Sequence, residues 1–145
     1  MASLGELYNM LYACQNQLAT EQSKLKSLEE AYDSLVAFKN TVSQSHGAFD
    51  EANSSKKQHL QRLNALAPTC RSAKEYAEGT DQTFNRIGLF IVGKAYFGLE
   101  GIVTLNLGTY RLRITNTESS IRDLKNRIKY LNTLIAAVQA EGDES

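Results

Sequence analysis

The chain has 145 residues, 42% of them hydrophobic, with 16 basic and 16 acidic side chains and a formal net charge of zero. That length suits one domain with a packed core, and the neutral balance argues against a general binder of nucleic acid or anionic membrane. A single proline, no tryptophan and many polar helix formers favour an all-α fold.

The first expected element is a long helix over 1–44. Leu4, Leu11, Leu18, Leu25 and Tyr32 recur every seven residues, as do Leu7, Cys14, Leu28, Leu35 and Val42, with Glu21 and Lys39 in the two remaining slots of the pattern. This is an a/d heptad seam, which a helix buries by packing against another helix. It predicts about forty helical residues, roughly 60 Å at 1.5 Å per residue. Ser3, with Glu6 three residues on, forms a capping box at its start. Ser43-Gln44-Ser45-His46-Gly47 breaks the pattern and reads as its end.

Shorter helices are expected over 48–106. Phe49 to Ala67 carries Leu60, Leu63 and Leu66 and closes before Pro68, because the residue ahead of a proline is pushed out of the helical region. Thr69 to Thr80 reads as a further short helix ending at Gly79. Phe84 to Gly108 places glycines at 88, 93, 98, 101 and 108 among large apolar residues. The expectation there is a glycine-broken helix or helix pair at the end of a bundle. A short hairpin, from the β-propensity of Ile87–Val92, comes next, and a membrane-inserting tongue over 87–107 last. Lys94 and Glu100 each cost about 2.5–3.5 kcal/mol at a bilayer centre, so stable insertion is not expected.

The last helix is expected over 107–140. Leu107, Ile114, Ile121, Ile128 and Ile135 form one series and Tyr110, Thr117, Leu124, Leu131 and Val138 the other. Ile at a with Leu at d is a coiled-coil choice. Residues 141–145 read as a frayed acidic tail, since acids at a helix C-terminus oppose the macrodipole.

The two heptad helices can cover each other. Residues 1–51 carry seven acids against three lysines, and residues 109–132 carry six bases against Glu118 and Asp123. Opposite net charges favour pairing of the two helices over self-pairing. The expected architecture is therefore an elongated antiparallel coiled-coil helical hairpin forming a single domain over 1–145. A homodimer through each seam is the rival.

No catalytic constellation is visible. His46 and His59 lie in polar stretches, without Asp, Glu or Cys at a ligand-like spacing, and read as surface residues. The glycines match neither a P-loop nor a dinucleotide fingerprint. No metal, cofactor or nucleic-acid partner is expected. Cys14 falls on the first seam and reads as a buried free thiol, with a Cys14–Cys70 bridge as the alternative. Residues 1–10 lack the features of a signal peptide, so the chain is expected to fold in the cytoplasm or to leave by a route needing no cleavable leader. The middle aromatics Phe84, Phe90, Tyr96 and Phe97 either close the end of the hairpin as a small core or form a docking site for another helical protein.

This plan, with heptad-rich helices at both ends, resembles the small helical proteins encoded beside LXG toxins in Gram-positive type VII secretion loci, which are related in shape to the WXG100 proteins. Phe38-Lys39-Asn40-Thr41-Val42 leading to Phe49, Asn53, Lys56, Lys57 and Leu60, together with the Ile114–Val138 repeat, carry the resemblance. Tyr96-Phe97-Gly98-Leu99-Glu100 matches the Tyr-x-x-x-Asp/Glu export pattern, whereas the Trp-x-Gly turn is missing. The resemblance implies a targeting factor that binds the helical N-terminal domain of a cognate toxin, with or without a second small helical accessory protein. It is then co-secreted with that partner or left behind in the cytoplasm. Phe84, Phe90, Tyr96, Phe97 and Glu100 are the candidate partner-binding and export residues.

Overall fold

The computed structural model describes residues 2–66, 68–83 and 88–143. Among these the chain is all helical: α1 spans Leu4–Leu66, α2 Arg71–Thr83 and α3 Leu89–Asp143, and the two long helices pack against each other. The chain forms two compact units, Met1–Ser34 with Leu107–Ser145, and Leu35–Asn106.

In the first unit the heptad positions are the buried ones. From Leu107 to Val138 every seam residue is buried or half-buried, and only Leu134 joins them. The same holds from Leu4 to Tyr32, where Ala31 is the one addition and Glu21 keeps its place in the seam. Leu7, Cys14, Leu131 and Ile135 form the core, with Leu4, Leu11, Ile128, Leu134 and Val138 packed on it. Gln139 donates to the Tyr8 hydroxyl at 3.0 Å and Arg111 to the Tyr32 hydroxyl at 2.9 Å, so the paired helices run in opposite directions in this unit. Thr117, the polar residue in the α3 seam, is satisfied by its own helix: its hydroxyl donates to the Arg113 carbonyl at 2.8 Å. No carboxylate of residues 4–34 lies within 4 Å of a basic group of α3 among the described residues. Burial of the seam, rather than ion pairing between the two helices, supplies the stability of this unit.

The N-terminal capping box forms as read. The Glu6 amide donates to Ser3 Oγ at 3.2 Å and the Ser3 amide to Glu6 Oε2 at 2.7 Å. Ser3→Ala removes one arm of it and is expected to cost about 1 kcal/mol of stability, measured by urea denaturation.

In the second unit α1 does not end at Ser43–Gly47. It runs through His46, Phe49, Asn53, Leu60 and Leu63, which continue the heptad frame and are all buried or half-buried. Ser and Gly weaken a helix by only about 0.5–1 kcal/mol each relative to Ala, less than burying seam residues such as Val42 and Phe49 returns. The expected break between a 1–44 helix and a separate one is thus corrected to one helix of 63 residues. Its end does match expectation. The Leu66 carbonyl accepts the Thr69 and Cys70 amides and the Thr69 hydroxyl, each at 3.0 Å, just ahead of Pro68.

α2 extends past Gly79 rather than stopping there, and Ala77 within it is buried. The glycine-rich segment is corrected too. Neither a broken helix pair nor a hairpin forms over Leu89–Gly108, which is continuous helix through Gly93, Gly98, Gly101 and Gly108. Leu89, Gly93, Tyr96, Glu100 and Val103 extend the α3 heptad frame backward, and each is buried or half-buried. Their burial outweighs the glycine penalty of about 1 kcal/mol per residue. At the other end, helix persists through Glu141, Gly142 and Asp143, where a frayed tail was expected.

Both cysteines are free, Cys14 buried and Cys70 exposed, so the bridged alternative is corrected. A thiol reagent is expected to modify Cys70 in the native protein and Cys14 only on unfolding, as mass spectrometry after timed quenching would show.

Candidate interaction surface

The second unit combines two features that face opposite ways from α3. Towards α1 lies a polar layer inside the seam. His46 stacks flat on Tyr96, with ring centroids 4.9 Å apart and 5° between planes, and meets Phe97 edge-on at 5.8 Å. Its Nδ1–H donates to Glu100 Oε1 at 2.8 Å, and its Nε2 lies 3.7 Å from Asp50 Oδ2. Phe49 tilts against the same Tyr96 ring at 5.8 Å. His46 is thus not a surface residue: only 20% of its side chain is exposed. Asp50 follows it at i+4, the spacing that places two side chains on one helical face. With a carboxylate on either side and an aromatic ring beneath, the imidazole is held in one orientation. The layer joins α1 and α3 through His46, Tyr96 and Glu100.

His59 is exposed as expected, on the rim of an open cleft of about 520 Å³ lined by Lys56, Leu60, Leu63, Leu66 and Tyr76. Among the described residues no group of three or more His, Cys, Asp or Glu side chains is placed to hold a metal ion.

Away from α1 lies the second feature. Ile91, Ile102 and Leu105 are each between 58% and 74% exposed, and exposed Phe90 and Phe97 lie on the flank between this face and the seam. Ile91, Ala95, Gly98, Ile102 and Leu105 alternate by four and three, so a second heptad-spaced stripe runs along the outer side of α3, opposite its seam. The three large side chains of this stripe, Ile91, Ile102 and Leu105, present roughly 300–350 Å² of apolar surface. A typical monomer carries a largest patch of about 300–600 Å². Among the described residues at this end of α3, Lys94 is the charge beside this face, with its ammonium 4.5 Å above the Phe90 ring.

The candidate residues therefore separate. Phe90 and Phe97 are exposed on the flank of α3, Phe97 with its ring edge-on to His46, Tyr96 and Glu100 line the seam, and Phe84 lies outside the described residues. Ile91, Ile102 and Leu105 were missed, although a second heptad series two positions from the first is present in the sequence. His46 and Glu100 were also legible as seam residues, lying fourteen beyond Tyr32 and seven ahead of Leu107.

No protein-family model, curated protein or solved structure matches the chain.

Proposed function

We propose that this chain is a non-catalytic interaction protein, an antiparallel coiled-coil hairpin that presents the outer face of α3 to another helical chain. The observation that carries the reading is that α1 already occupies the seam of α3, yet apolar side chains at heptad spacing remain exposed on its opposite side. A soluble helix is expected to be polar there. The plan of the chain resembles accessory proteins of type VII secretion. On that resemblance the partner is the helical N-terminal domain of an LXG toxin, and the role is to keep it export-competent and bring it to the secretion machine, either leaving with it or remaining in the cytoplasm. No cofactor enters this reading.

Co-expression with the product of each neighbouring gene, followed by size exclusion, tests it. A stable complex with a helical effector domain is expected, and a chain that elutes alone beside every neighbour contradicts it. A second reading has an observation of its own, since α3 contains a stretch long and apolar enough to cross a membrane. In that reading residues 89–107 make the protein membrane-active. Dye release from liposomes at neutral and acidic pH would support it, and intact liposomes at both would remove it.

A further inference from the structure

Three weaknesses of the α1–α3 pairing fall at one level of the second unit. The first is in the seam: His46 and Glu100, hydrogen-bonded at 2.8 Å, stand where the first unit has the apolar cluster of Leu7, Cys14, Leu131 and Ile135. The second is on α1, where Ser45 and Gly47 flank His46 and Ser43 precedes them. The third is on α3, where Gly98 and Gly101 flank Glu100. A Cβ added at Gly47, Gly98 or Gly101 would meet no atom within 4 Å, and none of the described glycines has a positive φ. No contact and no backbone conformation of the closed molecule requires glycine there, yet each weakens its helix relative to alanine. Asn53 and Gly93 add two half-buried seam positions without a large apolar side chain. A region with few buried apolar contacts opens at a lower free energy than a packed core. Once unpaired, a stretch rich in serine and glycine does not hold a helix in water, so opening exposes its amides.

We propose that the second unit is a clasp that opens while the first stays paired. α1 and α3 part at the His46–Glu100 layer, and residues 38–56 and 89–106 lose their helical hydrogen bonds together. In the closed form His46 and Phe49 of α1 hold Tyr96, and His46 holds Glu100. Tyr96 and Glu100 are therefore withheld from a partner while the clasp is shut and offered when it opens. The opening itself does not rest on the proposed function; only its use by a helical partner does.

Hydrogen–deuterium exchange of the full chain, read by mass spectrometry, tests this. Amides in 38–56 and in 89–106 are expected to show similar protection, about tenfold or more below that of 10–28 and 114–134 in the first unit. His46→Leu combined with Glu100→Leu makes the layer apolar and is expected to raise protection of both segments about tenfold. Gly98→Ala combined with Gly101→Ala does the same without touching the layer, by about tenfold. Equal protection in the two units overturns the proposal. So does exchange of one helix of the second unit without the other, which is fraying of a single helix. Protection that moves in neither double variant overturns it as well. A chain with equal protection in both units that captures a neighbouring gene product refutes the clasp alone. A chain whose second unit opens but that captures none refutes the effector reading alone.

Discussion

Leu131→Asp is expected to destabilise the protein by about 3–5 kcal/mol, while Tyr130→Asp, one residue away, changes stability by no more than about 0.5 kcal/mol. Leu131 is 2% exposed and sits in the cluster with Leu7, Cys14 and Ile135, whereas Tyr130 is 63% exposed. An aspartate at position 131 places a charge among apolar side chains with no cation in that cluster to meet it. A loss of this size lowers the melting temperature by about 10–20 °C in a chain of this length. Ile121→Asp, at another buried seam position, is expected to act in the same way. Equal melting temperatures for the two neighbouring substitutions would show that the heptad register is wrong.

The second large effect is expected at the polar layer. His46→Ala removes the stack on Tyr96 and the hydrogen bond to Glu100 together, at a cost of about 2 kcal/mol. Glu100→Ala leaves the stack in place and costs about 1 kcal/mol. In the double variant the hydrogen bond is counted once, so the two losses sum to about 1 kcal/mol less than additive. Denaturant titration of the four proteins gives the cycle. Additivity within about 0.3 kcal/mol would mean that the contact contributes nothing.

The parts of the fold legible in the sequence are those governed by periodicity and by local hydrogen bonding. Leu107–Val138 was identified position by position because burial follows the heptad. The Ser3–Glu6 cap and the stop before Pro68 were visible because each depends on a few adjacent residues. What was not legible is where a local weakness is overridden. Ser43–Gly47 and the glycines of α3 read as breaks by propensity, a penalty near 1 kcal/mol per residue. Continuing the heptad frame through His46, Phe49, Tyr96 and Val103 restores continuity to both helices.

The candidate site was legible only in part. Phe90 and Phe97 stood out as large apolar residues in a glycine-rich segment and are exposed, Phe97 with one edge on His46, but Tyr96 and Glu100 in the same segment line the seam with α1. Aromatic density does not say which side of a helix a residue occupies; heptad phase does. His46 illustrates the converse: its polar neighbours suggested solvent, and its phase put it in the seam.

The most direct measurement concerns whether the α1–α3 seam closes within one chain. Tyr8→Cys and Gln139→Cys, in a Cys70→Ser background, place a thiol on each side of the contact that joins the ends of α1 and α3. Treatment of mixed light and heavy isotope-labelled protein with a short bismaleimide is expected to give an 8–139 bridge joining peptides of the same label only. Bridges that mix light and heavy label in statistical proportion would show that the seam is closed between molecules, and the outer face of α3 would lose its standing as the surface left for a partner.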